Sequence, residues 1–262
     1  MVTEAPLVAV HLEANVLVLT LNRPDRKNAF TRPMIEQWTD ALDRARDDPD
    51  VHVVVVTGAG DAFCAGFDLS EPAPGETPPR RDPAAVELFP HRVAYAMQDL
   101  DKPVIAAVNG AAVGAGLGLA LMADLRFFSD RAKVWEVYVN AGIFPGSGDT
   151  YFLPRIVGTS RALKMLWTGE KLTAEQALDA GLADEVHEHD QLMTHTIAFA
   201  TALAARPQLI VRGIKRAVYA GERGTLRDTL GLVGAYTKAV AATAARPPSE
   251  SLNAERKTGN PS

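Results

Sequence analysis

Apolar positions come in short β-rich blocks over the first half of the chain and at helical spacing over the last third. Residues 7–12 and 16–21 are two such blocks joined by Glu13-Ala14-Asn15, which predicts a hairpin. Asn22-Arg23-Pro24-Asp25 ends the second block. Thr31 stands as an N-cap before Met34, Ile35, Trp38, Ala41, Leu42 and Ala45, the stripe of an amphipathic helix that Asp47-Asp48-Pro49-Asp50 stops. Residues 51–56 are apolar on both faces except at His52, the pattern of a strand inside a parallel sheet covered on both sides. Residues 103–108 repeat it, and residues 125–128 and 133–139 read as two further strands. Residues 70–83 hold five prolines with Arg80 and Arg81 and read as a surface loop. Residues 84–100 resume a helical pattern with Pro90 as a kink.

From residue 160 the pattern is helical, over 161–167, 174–180, 190–205, 207–220 and 225–245. A single short strand at 184–187 interrupts it. Residues 246–262 are polar, carry three prolines and read as a disordered tail. The expected organisation is an α/β core over residues 1–200 and a helical region over 201–262 that serves subunit contacts.

Composition narrows the classes. Of 262 residues, 47% are hydrophobic and 23% charged, the balance of a globular protein with a full core. A net charge of −5 argues against nucleic acid or an anionic membrane as the main partner. The single cysteine, Cys64, cannot form an internal disulfide, and the first ten residues lack the pattern of a secretory leader, so the expected compartment is the cytoplasm. His187 and His189 have no third ligand at useful spacing, so no metal is expected.

The chemistry gathers at glycine. Gly58-Ala59-Gly60 with residues 63–69, and Gly114-Ala115-Gly116-Leu117-Gly118, each follow a buried strand and lead toward a helix. Small residues let a substrate approach free backbone N–H groups. Two converging turns can offer two donors to one carbonyl oxygen, an oxyanion hole. The spacing is wrong for a dinucleotide fingerprint, and the Gly-Lys-Ser/Thr of a phosphate loop is missing.

Residues 63–69, residues 106–124 and Gly142-Ile143-Phe144-Pro145-Gly146 together resemble the crotonase superfamily, the enoyl-CoA hydratase/isomerase family. Asn22-Arg23-Pro24 with Asn28-Ala29-Phe30 fits its N-terminal signature, and Leu153-Pro154-Arg155 and Thr168-Gly169 continue the match. The resemblance runs over residues 7–245. It implies a spiral of repeated β-β-α units with a helical C-terminal region, homotrimers or dimers of trimers, and a coenzyme A thioester substrate with no further cofactor. It also implies that the N–H groups of Phe67 and Ala115 form the oxyanion hole. Arg26, Lys27, Ala29, Ala65, Asp68, Leu69 and Gly114 would contact the substrate and its coenzyme.

The resemblance breaks where hydratases carry two glutamates: those positions are Gly118 and Tyr138. Tyr138 is the first candidate for the acid/base region, though an ordinary tyrosine is a weak base at neutral pH. In a regular strand Glu136 would share a face with Tyr138 and could replace the missing base. The reading preferred for it is an exposed strand residue or ion-pair partner. Asp149 is read as the cap of a helix starting near Thr150, with reach into the pocket as its competing role. Asp68 is read as a structural carboxylate at a helix start, and Cys64 as a small core residue. The expected function is an acyl-CoA-processing enzyme that stabilises a thioester enolate. Competing readings are an acyl-CoA decarboxylase or other non-hydratase, and a catalytically degenerate acyl-CoA binder.

Overall fold

The computed structural model describes residues 5–68 and 91–244. The expected loop at 70–83, the start of the helix expected over 84–100, Leu69 and the C-terminal tail lie outside the described residues. The chain divides into two compact units, residues 1–205 and 206–262.

The first unit is built on a six-stranded sheet in the order β1-β2-β3-β5-β7-β10. Strands β1 (Val8–Glu13) and β2 (Val16–Leu21) form the antiparallel hairpin, turned by Ala14 and Asn15 at positive φ. Strands β3 (Val53–Gly58), β5 (Val104–Val108), β7 (Leu125–Ser129) and β10 (Glu185–His187) continue it in parallel. A smaller sheet has the order β4-β6-β8-β9, from β4 (Ala62–Cys64), β6 (Ala111–Val113), β8 (Lys133–Trp135) and β9 (Lys171–Thr173). The chain makes the same step three times: a strand in the large sheet, a strand in the small sheet, then a helix. That repetition lays the ends of β4, β6 and β8 side by side.

The central strands of the large sheet are buried on both faces. Val54 and Val56 of β3 join the cluster containing Trp38, Ile35 and Leu42 of α1 (Arg32–Asp47). Val53 and Val55 join Ile105, Phe127 and the helix α8 (Leu192–Ala204). Alternate side chains thus enter two separate cores, as an uninterrupted valine run requires. His52, the polar exception, places Nδ1 2.8 Å from the Ala204 carbonyl at the end of α8.

Other helices of this unit are α2 (His91–Asp99), α3 (Ala115–Leu121), α4 (Tyr138–Ala141), α5 (Asp149–Val157), α6 (Thr159–Thr168) and α7 (Ala174–Asp179). Two expectations are corrected. The strand expected over 133–139 stops at Trp135, because Val137 turns to helical backbone (φ −83, ψ −7) and α4 begins at Tyr138. The helical run expected from residue 160 is interrupted a second time, by β9, which pairs antiparallel with β8. Thr31 is the N-cap of α1 but its side chain makes no capping bond. The second unit contains α9 (Gln208–Arg223) and α10 (Leu226–Ala244). Helix α8 runs on to Ala204 within the first unit. Among the described residues, no single helix is long and apolar enough to cross a membrane.

Candidate active site

The first glycine turn leaves β4 through Ala65-Gly66-Phe67. Gly66 has φ +90, and a Cβ there would lie 2.9 Å from the Val113 carbonyl oxygen, so only glycine fits. Phe67 forms an isolated parallel bridge with Phe30. Phe30 N–H donates to the Gly66 carbonyl at 2.8 Å, and Asp68 N–H donates to the Phe30 carbonyl at 3.1 Å. Both bonds belong to the neighbours of Phe67, so its own N–H points away from the bridge. No acceptor takes it among the described residues.

The second turn leaves β6 through Gly114 (φ +48), whose N–H donates to the Trp135 carbonyl at 2.9 Å. Helix α3 starts at once, earlier than the glycine pattern suggested. Its first internal bond runs from Gly118 N–H to the Gly114 carbonyl, which leaves the Ala115 N–H without an acceptor among the described residues. A Cβ on Gly116 would stand 2.1 Å from the Cys64 carbonyl oxygen, and one on Gly66 would stand 3.8 Å from the Ala115 nitrogen. The two turns therefore meet, backbone against backbone, with a free N–H on each.

The acid/base region differs from expectation at two residues. Asp149 does not cap α5: Gly148 is the N-cap, and Asp149 is fully buried. Its Oδ2 accepts the Tyr138 hydroxyl at 2.9 Å and the Ser147 N–H at 3.2 Å. Its Oδ1 has no partner among the described residues and would lie 2.6 Å from a Cβ on Gly118. Glu136 is neither exposed nor ion-paired. It is fully buried, and neither carboxyl oxygen has a partner among the described residues. It also does not reach the site by strand alternation, since β8 ends before it. Tyr138 is buried too.

Electrostatics separates these groups. Burial pushes the Glu136 carboxyl up to about 9, and the nearby Asp149 charge adds to the rise. Burial also pushes Asp149 up to about 6, opposed by the hydrogen bonds from Tyr138 and Ser147, which favour its charged form. Burial, then the charges of Asp149 and Glu136, drive Tyr138 further from ionisation. At neutral pH this leaves Glu136 as a neutral acid, Tyr138 as a neutral donor and Asp149 as the one charged member.

Arg26 and Lys27 are exposed, and the Lys27 carbonyl accepts the Ala65 N–H at 2.9 Å, so the basic turn backs onto the first cradle. Ala29 is buried and its carbonyl accepts the Arg23 guanidinium. Asp68 pairs with Arg23 at 2.9 Å, which agrees with a structural carboxylate, and the helix start expected beside it lies outside the described residues. Arg23 and Ser147 were missed by sequence reasoning. Arg23 lay within a noticed motif, but nothing in the sequence names its distant acid. Cys64 is buried, and its Sγ lies 3.1 Å from the Asn28 carbonyl oxygen. His187 sits 2.8 Å from Glu185, and His189 sits 3.0 Å from Ser129.

Residues 11–256 match the sequence model of a family described as enoyl-CoA hydratase/isomerase. The chain is 36% identical over 229 residues to the 1,2-epoxyphenylacetyl-CoA isomerase of Escherichia coli, covering 87% of each. It is 35% identical to the 2,3-dehydroadipyl-CoA hydratase of the same organism, over 84% of this chain and 85% of the relative. The fold matches the crystal structure of an enoyl-CoA hydratase from Bacillus anthracis with a TM-score of 0.83 at 29% identity. That match covers 97% of this chain and 98% of the other.

Proposed function

The chain belongs to the enoyl-CoA hydratase/isomerase family, and we propose that it shifts a double bond along an acyl-CoA by moving a proton with Asp149. The observation that carries this reading is the carboxylate of Asp149 at Gly118: one oxygen held by two donors, the other without a partner among the described residues. A general base needs one fixed carboxylate with a lone pair to spare, and a proton affinity near the working pH.

The thioester carbonyl oxygen accepts the N–H groups of Phe67 and Ala115. Asp149 takes a proton from Cα, and the C–H electron pair passes into the enolate, whose negative oxygen the two N–H groups hold. Losing one such donor typically costs about 2.7–4 kcal/mol of transition-state stabilisation. Asp149 then returns the proton at the far end of the conjugated system. The step balances without oxidant or metal. Tyr138 positions Asp149 by its hydroxyl and does not itself take the proton. Glu136, held neutral, keeps the site at a single charge.

Asp149 supports proton transfer over the readings as a decarboxylase or an inert binder, which rested on the absence of glutamates at Gly118 and Tyr138. Arg26 and Lys27, exposed beside the first cradle, are suited to the coenzyme's phosphates. The apolar residues exposed on α9 and α10, among them Ile214, Val218, Leu226 and Leu230, suit a homotrimer or a dimer of trimers.

The test is a 3-enoyl-CoA substrate, followed by growth of the conjugated enoyl-thioester absorbance. Turnover by the wild type and a loss of about 10²–10⁴-fold in Asp149→Asn are expected. Full activity in Asp149→Asn would remove Asp149 as the base. Activity only with crotonyl-CoA would make hydration the reaction instead.

A further inference from the structure

The Asn22-Arg23-Pro24 turn packs against the first cradle. The Arg23 side chain is only 14% exposed and that of Asp68 only 6%. One guanidinium nitrogen donates to Asp68 Oδ2 at 2.9 Å and another donates to the Ala29 carbonyl. The Arg23 N–H donates to Asn28 Oδ1 at 2.9 Å, and Asn28 Nδ2 donates to the carbonyls of Ala59 and Ala62. Lys27 and Asn28 both take positive φ to close this turn. Arg23 is therefore anchored at its backbone as well as at its head.

Asp68 is the residue after Phe67. Its N–H is held by the Phe30 carbonyl and its carboxylate by Arg23, while the Gly66 carbonyl is held by Phe30 N–H. The peptide that carries the Phe67 N–H is thus fixed on both sides. The planar fork of Arg23 holds a carboxylate and a carbonyl at once in one fixed geometry. A role in gripping a coenzyme phosphate fits poorly, since two nitrogens of the guanidinium are spent inside the protein.

We propose that Arg23 is a positioning residue that aims the Phe67 N–H at the thioester oxygen by clamping Asp68 and the Ala29 carbonyl together. The proposal rests on Phe67 as an oxyanion donor. A displacement of about 1 Å at such a donor can cost about 10²-fold in rate. A clamp serving stability alone would lower the unfolding temperature and leave the bound carbonyl unchanged.

The experiment measures the infrared stretch of a ¹³C-labelled thioester carbonyl in an acyl-CoA bound to wild type, Arg23→Gln, Arg23→Lys and Asp68→Asn. It is paired with kcat and KM and with unfolding temperatures. In wild type the stretch should move to lower frequency on binding. In Arg23→Gln the movement should shrink and kcat should fall about 10- to 100-fold with KM little changed. Arg23→Lys should restore part of both, and Asp68→Asn should shift both in the direction of Arg23→Gln. A wild-type-sized movement in a folded Arg23→Gln or Asp68→Asn overturns the role of Arg23, as does a rise confined to KM. No movement in wild type overturns the oxyanion reading itself, and the proposal with it.

Discussion

The carboxylate of Asp149 occupies the room that a side chain on Gly118 would need, with Oδ1 2.6 Å from the place of the missing Cβ. A Cβ there would also stand 3.2 Å from the Cβ of Ser147. The glycine is thus half of a pair: the side chain given up on α3 is matched by a carboxylate arriving from the start of α5.

Replacing Gly118 by alanine should therefore act through Asp149. The added methyl must displace a buried carboxylate, at a cost of about 1–3 kcal/mol for overpacking, and should lower kcat as the carboxylate moves. Gly118→Glu alone should do worse on both counts, because two carboxylates then compete for one site. Gly118→Glu with Asp149→Gly should recover stability relative to Gly118→Glu. Thermal unfolding and isomerase turnover check all three.

Glu136 should make stability fall as pH rises. Its folded-state proton affinity is raised from the ordinary 4.5 to about 9, so the folded protein holds a proton that the unfolded chain releases. That contribution is intact below about 4.5 and is lost as pH rises through about 9. Asp149 adds a slope of the same sign over a narrower range, from its ordinary 3.8 to about 6. Glu136→Gln should flatten the curve between about pH 6 and 9 and leave only the slope of Asp149 below that. Urea midpoints between pH 5 and 9 measure both; an unchanged slope in Glu136→Gln would show that Glu136 is already ionised.

Lys102 should be a stability residue with no role in turnover. It is 1% exposed, and its ammonium donates to the carbonyls of Ala45 and Asp48 at the end of α1. Lys102→Met keeps the aliphatic volume but leaves those carbonyls short of a donor, which should cost about 1–3 kcal/mol. Chemical denaturation should register the loss while kcat stays near wild type.

Cys64 should resist alkylation in the native protein. Burial pushes its thiol up to about 12, and its Sγ faces the Asn28 carbonyl. The reactive thiolate is then scarce at neutral pH. Iodoacetamide labelling should appear only with unfolding, and rapid native labelling would contradict this environment.

Particular residues show what the sequence made legible. The valines of β3 announced a strand covered on both faces, because burial on two sides leaves an uninterrupted apolar run. The two glycine turns were visible because close backbone approach demands small residues. Asp149 was not legible as a site residue: a carboxylate beside a new helix looks like a cap, and only the αL backbone of Gly148 takes that role away. Glu136 was misplaced because strand alternation was carried past Trp135, where the chain in fact turns. Its burial depends on tertiary packing, which no local pattern records.

Tyr138→Phe separates the tyrosine's two possible parts. The hydroxyl donates to Asp149 Oδ2 at 2.9 Å and so favours the charged carboxylate. Removing it should raise the proton affinity of Asp149 above about 6. A base must be ionised to act, so the acid limb of the pH–rate profile should move to higher pH in the variant. At pH values well above that limb the variant should recover most of its kcat, because Asp149 is then charged in both proteins. If Tyr138 were itself the proton-transferring group, no pH would restore turnover. A profile with the wild-type acid limb and full activity would show that the Tyr138–Asp149 bond has no bearing on the reaction.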